Sequence, residues 1–283
     1  MKFSKSIVEL IKERTSRRTY DSNLLEEGAK KSMSKFLKFD DIRSPFREEA
    51  GKCRFELVAV PEFDPKEKRK LGTYGLIKGA QEFIVGAVER SPYAKEHFGF
   101  LMEYLILAAT DMGLGTCWLG GTFNRGLFGS KINVKPEEIV PAITPIGTYP
   151  EKRRLKERVV RKVVKADQRL PWNQLFFKGD WDTPLNQDAI GQYATLLEMV
   201  RLGPSAGNKQ SWRILKESNR EIYHFYHLEF EGNYRPFPPL DIGIAVCHWD
   251  LTAEELGVVG KWVFNQPEMI SRGLTYTITW MGE

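Results

Sequence analysis

Residues Arg201–Trp212 read RLGPSAGNKQSW. The amphipathic run before them, Asn186–Leu202, predicts a helix. Gly203-Pro204 then forces a turn, and Ser205 and Asn208 put a hydroxyl and an amide into the loop. Trp212 opens a strand, Trp212–Lys216, that should pair as a hairpin with Glu221–Leu228 about a turn at Ser218–Arg220. Two other stretches make sense beside this one: RTSRRTY, Arg14–Tyr20, and GLGTCWLGG, Gly113–Gly121.

The loop invites one specific misreading. GPSAG, Gly203–Gly207, matches the G-x-S-x-G nucleophile elbow, and Asp241 and His248 follow in hydrolase order. That elbow needs a strand, a sharp turn and a helix. Here a helix comes first, and Lys209–Lys216 reads as loop and strand. Asp241 and His248 also share one predicted helix, seven residues apart. A serine hydrolase is therefore the minor alternative. His224 and His227 point to opposite faces of a strand and form no metal pattern, so no metal is expected.

Working outward, Ser4–Glu13 and Leu24–Leu37 have apolar residues at helical spacing, and Arg54–Val60 alternates like a strand. Pro61–Lys70 is a charged loop and Gly72–Gly79 a Gly-rich turn. Phe83–Val88 reads as a strand. Tyr93–Met112 is the strongest helix, apolar over more than half its surface and so buried on several sides, with Gly113 ending it. Val140–Gly147 carries Pro141 and Pro145, which predicts an edge or an end of a sheet. Asp241–Leu256 is a second broadly apolar helix, and Tyr276–Trp280 a final strand.

Between Gly147 and the second half lies EKRRLKERVVRKVVKADQR, Glu151–Arg169, a basic bridge with little core. The expected organisation is residues 1–150, a connector 151–169, and residues 170–283. Shifting the chain by 144 residues lays Gly99 on Gly243, Leu107 on Leu251, Ala109 on Ala253, Gly113 on Gly257 and Trp118 on Trp262. The halves read as a degenerate duplication.

The bulk numbers narrow the function classes. The 283 residues suit one large domain or two small ones. A net charge of +5 helps attract anions but does not argue for nucleic acid. Three scattered cysteines argue against a disulfide scaffold. The first residues, MKFSKSIVELIKER, show no signal-peptide pattern, and no apolar run is long enough to span a bilayer, so the expected location is the cytoplasm, away from membranes.

RTSRRTY sets Arg14, Arg17 and Arg18 around Ser16, a grouping suited to phosphate because guanidinium donates from a planar fork and a hydroxyl adds a donor. GLGTCWLGG follows a helix rather than a strand and has no Lys-Ser/Thr after it, which excludes a Rossmann fingerprint and a P-loop. What remains is a strand-like TCWL ending in Gly120-Gly121, where bare backbone could approach a planar ring.

Together RTSRRTY, GPSAGNKQSW and GLGTCWLGG resemble the motifs of the FMN-dependent nitroreductase family, in particular its single-chain branch with two fused homologous halves. The resemblance implies an α+β, nitroreductase-like fold: a mostly antiparallel sheet flanked by helices, with two halves forming a pseudo-dimer. It implies FMN as cofactor. Arg14, Thr15, Ser16, Arg18 and Arg169 would stand at the phosphate and ribityl end. Pro204, Ser205 and Asn208 would border the isoalloxazine. Leu119, Gly120 and Gly121 would run along the flavin, and Tyr74 and Lys78 would stand near its pyrimidine end.

Two departures matter. The first half has KFDDIRSPF where a second GPSAGN would stand, and the second half has KGDWDTP, with Asp180 and Asp182, where a second Arg motif would stand. One complete FMN site per chain is therefore expected, and a monomer is possible. The resemblance further implies NAD(P)H as electron donor and a nitroaromatic, quinone or similar flat acceptor reduced by a ping-pong mechanism. No side chain is expected to act as nucleophile, because the flavin carries the chemistry. A non-catalytic flavin-binding protein of the same fold is the main alternative.

Overall fold

The computed structural model describes residues 3–39, 42–60, 72–73, 75–232, 236–268 and 272–283. Its contacts divide the chain into two units: Met1–Lys5 with Glu13–Ala166, and Ser6–Lys12 with Asp167–Glu283. Helix α1 (Ile7–Glu13) buries Ile7, Leu10 and Ile11. It lies mostly in the second unit, where the Ser6 hydroxyl donates to Glu255 at 2.7 Å.

In the first unit, α2 (Glu27–Phe36) precedes a hairpin of β1 (Cys53–Ala59) and β2 (Glu82–Glu89), paired antiparallel with Cys53 opposite Val88. The 61–70 stretch lies outside the described residues. Strand β2 is buried on both faces along nearly its whole length because α3 (Ala94–Asp111) and the apolar cluster of Phe83, Val85, Phe128 and Ile143 cover it. Helix α3 is buried almost all round, as its broad apolar surface predicts. It ends where Gly113 takes φ +73°, with the N–H of Leu114 donating back to Ala109 O at 2.8 Å, a Schellman closure.

Beyond it come β3 (Gly115–Thr116), α4 (Arg125–Lys131), β4 (Glu138–Ile139) and β5 (Ile143–Gly147). The sheet order is β1-β2-β5-β3, with β4 pairing β2. Strand β5 is thus interior, contrary to the edge position its prolines predict. Ile143 exchanges backbone hydrogen bonds with Leu119, so Pro145, two residues on, aims its nitrogen toward the same side. There the ladder is interrupted, and the Cys117 N–H donates to Thr144 Oγ1 at 3.0 Å instead. The missing proline N–H costs no ladder bond. Helix α5 (Leu155–Val163) closes the unit.

The second unit orders its sheet β6-β7-β8-β10-β9. Strand β6 (Phe176–Lys178) runs parallel to β7 (Trp212–Lys216). Strands β8 (Ile222–Leu228), β9 (Gly260–Val263) and β10 (Leu274–Gly282) are antiparallel to their neighbours. The expected helix over Asn186–Leu202 is broken: a 3-10 turn, Gln187–Ala189, gives way at Gly191, φ +53°, and α6 covers only Tyr193–Leu202. Helix α7 (Pro238–Leu256) begins with two prolines and ends at Gly257, φ +66°, with the Val258 N–H donating to Ala253 O at 2.9 Å. Its Trp249 packs edge-on or tilted against Tyr223, Phe225, Trp262 and Trp280 at the centre of an aromatic core.

The two units share a plan. In each, a hairpin is followed by a long buried helix and by two strands that add in reverse order, β1-β2-β5-β3 and β7-β8-β10-β9, the first unit having the short β4 besides. The closing bonds of the long helices, Leu114 to Ala109 and Val258 to Ala253, fall on the same 144-residue offset as the sequence match. Among the described residues no helix is long and apolar enough to cross a membrane.

Candidate functional site

The segment Arg14–Tyr20 is laid out as an extra edge of the first unit's sheet. Ser16 bridges Thr116 of β3 in parallel sense, and Thr19 bridges Lys78. The Arg17 N–H donates to Thr116 O at 2.7 Å, and the Tyr20 N–H to Lys78 O at 2.9 Å. Gly79 makes this apposition possible: at φ +78° a Cβ there would stand 2.2 Å from the Tyr20 carbonyl oxygen. An extended backbone sends neighbouring side chains to opposite faces, so the arginines spread around the edge. Arg14 faces Glu103 on α3, Nε to Oε1 3.8 Å, with both side chains buried. Arg17 stacks its guanidinium on Tyr149, 3.9 Å from the ring centre.

Residues of the basic bridge converge on this edge. Arg153 donates to Ser16 O at 2.8 Å and to Thr15 Oγ1 at 3.1 Å. Arg161 reaches Thr15 Oγ1 at 3.1 Å and Arg154 reaches Thr19 Oγ1 at 2.8 Å. The Thr19 hydroxyl donates to Glu157 Oε2 at 3.0 Å, and Arg153 also donates to the Glu157 carboxylate. A signal was available in the spacing of Glu157 and Arg161, four apart and so on one helix face, with Arg153 four residues before Glu157.

The cluster suits an anion. Arg14 Nε, Arg17 Nε and Arg18 Nη1 are buried without a hydrogen-bond acceptor among the described residues. Buried donors without acceptors are costly, and a phosphate brings several acceptor oxygens with charge. Burial pushes the Cys117 thiol and the Tyr20 hydroxyl upward, so both stay protonated beside the arginines.

The other predicted residues of this unit fall as follows. Lys78 lies against the Arg motif through its backbone, with its side chain exposed. Tyr74 lies outside the described residues. Leu119 is buried, and both its N–H and its carbonyl are committed to Ile143, at 2.9 and 3.0 Å. Of the three residues expected to run along the flavin, Leu119 therefore has no backbone group to offer a ligand, and Gly120 and Gly121 remain. Arg125 donates to the Gly120 carbonyl and orders that turn.

In the second unit the Ser205–Asn208 loop is wound tightly, with Gly207 at φ 57° and Asn208 at φ 58°. Ser205 Oγ accepts the Gln210 N–H at 2.8 Å. Buried Asp241 holds the loop from below, accepting the Ala206 N–H at 3.0 Å and the Ser211 hydroxyl at 3.3 Å. Burial raises its carboxyl to about 7 against those two donors. Arg169 joins the loop, donating to Leu202 O at 2.9 Å and lying 3.4 Å from Asn208 Oδ1. Pro204 follows the end of α6 and precedes the 3-10 turn Ala206–Asn208.

His248 Nδ1, the nitrogen a hydrolytic triad would need for its Asp, is 2.8 Å from the Met199 carbonyl and must donate to it. Asp180 and Asp182 have structural partners: Asp180 Oδ1 accepts the N–H groups of Asp182 and Thr183, and Asp182 forms a two-pronged ion pair with Arg272. No group of His, Cys, Asp and Glu among the described residues is arranged to hold a metal ion.

The family model described as "Putative TM nitroreductase" matches residues 6–253. Among solved structures, a putative nitroreductase from Thermotoga maritima is 18% identical, with TM-score 0.59, and the alignment covers 99% of this chain and 95% of that one. A nitroreductase family protein from Clostridium difficile 630 is 17% identical at TM-score 0.43, over 60% of this chain and 94% of its own. A nitroreductase with bound FMN from Bacteroides fragilis is 16% identical at TM-score 0.40, over 54% and 92%. No curated protein matches. The first of these likenesses shows a shared fold along nearly the whole chain.

Proposed function

The chain belongs to the TM nitroreductase family, and from that premise we propose that it is an FMN-dependent oxidoreductase. The observation that carries the cofactor assignment is the set of buried, acceptor-poor guanidinium nitrogens of Arg14, Arg17 and Arg18 beside Ser16. Thr15, Ser16 and the arginines would hold the phosphate, and Gly120 and Gly121 would leave room for the ring. The motif resemblance assigns Pro204, Ser205 and Asn208 to the isoalloxazine, and Arg169 supports that loop through Asn208. One Arg motif and one Pro-Ser-Asn loop in the sequence support one FMN per chain.

When bound, FMN supplies a hydride acceptor that later gives its electrons to a second molecule. The chain's own part is to bind and orient, with no side chain attacking the substrate. The donor we propose is NADH or NADPH, and the acceptor a nitroaromatic, quinone or other flat molecule. The test is direct. Purified protein, with FMN added if colourless, should show a bound-flavin absorption spectrum and oxidise NAD(P)H faster when a nitroaromatic or quinone is present. Flavin binding without NAD(P)H oxidation would leave a binding protein rather than an enzyme. Failure to bind flavin at all would overturn the proposal.

A further inference from the structure

Helix α5 is inside out. Its one buried residue is Glu157, at 3% exposure, while Leu155, Val159 and Val163 stand 75%, 54% and 75% exposed. A helix of this pattern normally docks by its apolar stripe. This one docks by its charged face: Glu157 accepts from Thr19 and Arg153, Arg161 and Arg153 converge on Thr15, and Arg154 reaches Thr19. Little apolar burial holds it in place, so its attachment is mainly this polar network. Thr19, which donates to Glu157, and Arg153, which donates both to Glu157 and to the Ser16 carbonyl, place the carboxylate against the Arg motif.

We propose that Glu157 occupies the seat of a ligand's terminal phosphate and that a phosphate monoester binds by displacing this carboxylate together with α5. The proposal rests on the FMN reading for the natural ligand, but its chemistry requires only a phosphate group. A phosphate monoester carries close to two charges and three acceptor oxygens, whereas a carboxylate carries one charge and two oxygens. That difference matters here, because Arg18 of the motif keeps a buried Nη1 without an acceptor among the described residues. Arg153, which precedes α5 and is held to Ser16 and Thr15, would remain as an additional phosphate donor once the carboxylate leaves. The acidic residue thus selects for ligands with a full phosphate and keeps Arg153 paired until one arrives.

The test uses the full chain. Glu157→Gln keeps the shape and an acceptor for Thr19 but removes the competing charge. Its affinity for FMN should rise about tenfold or more over wild type, while riboflavin, which lacks the phosphate, should bind both proteins alike. In wild type, hydrogen exchange of the 155–163 amides should quicken when FMN binds. Equal FMN affinity in the two proteins, an equal gain for riboflavin, or unchanged exchange in 155–163 on binding would each overturn the proposal. Should Glu157→Gln fail to fold, the wild-type exchange measurement decides. Should neither protein bind flavin, the FMN reading falls, and inorganic phosphate replaces it as probe. Faster exchange of 155–163 at millimolar phosphate would then support the seat, and unchanged exchange would overturn it.

Discussion

The indole N–H of Trp118 donates to Glu103 Oε2 at 2.7 Å, deep in the first unit. The other oxygen of that carboxylate faces Arg14 Nε at 3.8 Å, and Glu103 is fully buried in the middle of α3. One side chain thus ties the first arginine of the proposed phosphate motif to the loop that carries Gly120 and Gly121. The second unit repeats the tie without the arginine: Trp262 donates to Asp250 of α7 at 2.7 Å. Glu103→Leu should leave Arg14 buried and unpaired and should cost about 3–5 kcal/mol of stability, the usual result of removing one partner of a buried pair. Glu103→Gln keeps an acceptor for Trp118 and should cost less. Urea unfolding of the two variants measures the difference, and equal losses would show that Arg14 does not depend on the charge.

Arg18 should matter to cofactor affinity more than to the fold. Its Nη1 is buried without an acceptor among the described residues. Losing one charge-assisted contact to a phosphate costs on the order of 1.5–3 kcal/mol, about ten- to a hundredfold in affinity. Titration of apo Arg18→Ala with FMN should show that loss, and titration with riboflavin should show little. Wild-type FMN affinity in the variant would remove Arg18 from the phosphate site.

Asp241 makes stability depend on pH in an unusual direction for a carboxylate. Burial raises its folded pKa to about 7, whereas an unfolded Asp titrates at about 3.9. Between those values the unfolded chain has lost the proton and the folded chain keeps it. Stability is therefore full below about pH 4 and falls as pH climbs toward 7. At about 1.4 kcal/mol per pKa unit, the loss is on the order of a few kcal/mol. Glu96 and Asp250 are also raised by burial, to about 7 and about 6, so the contribution must be read as a difference. Asp241→Asn can still accept the Ala206 N–H and can donate to Ser211. It should flatten the fall in melting temperature between pH 5 and pH 8, with the gain over wild type largest at pH 8. An unchanged pH slope in the variant would acquit Asp241.

The parts of this fold that could be read in the sequence were those set by apolar patterning. The breadth of apolar cover on Tyr93–Met112 and Asp241–Leu256 foretold burial all round, and the 144-residue match located both helices and their Schellman ends at Gly113 and Gly257. Charge and exception were harder to read. LKERVVRKV by itself does not say that its glutamate rather than its leucine and valines goes inside, because that choice depends on Thr19, 138 residues away, and on Arg153 just before the helix. Pro145 suggested an edge, and only the Thr144 hydroxyl taking the Cys117 N–H explains how it sits inside. The break at Gly191 was hidden because Asn186–Leu202 keeps a helical apolar rhythm across it.

Ser205 should prove to be a structural hydroxyl. Its Oγ accepts the Gln210 N–H at 2.8 Å, across a loop in which Gly207, Asn208 and Gln210 all have positive φ. A nucleophilic serine needs a base on its hydroxyl and an orienting group behind that base. The two residues that follow in hydrolase order are engaged elsewhere: His248 Nδ1 on the Met199 carbonyl, Asp241 on Ala206 and Ser211. A fluorophosphonate probe should therefore leave Ser205 unlabelled, and Ser205→Ala should not alter any background ester hydrolysis. The substitution removes one acceptor from a strained loop and should cost about 1 kcal/mol of stability. Because the loop is the proposed border of the isoalloxazine, Ser205→Ala should also weaken FMN and riboflavin binding by similar factors, unlike Arg18→Ala, which should weaken FMN alone. Stoichiometric labelling of Ser205 would reinstate the hydrolase reading, and a loss confined to FMN would place the serine at the phosphate instead of the ring.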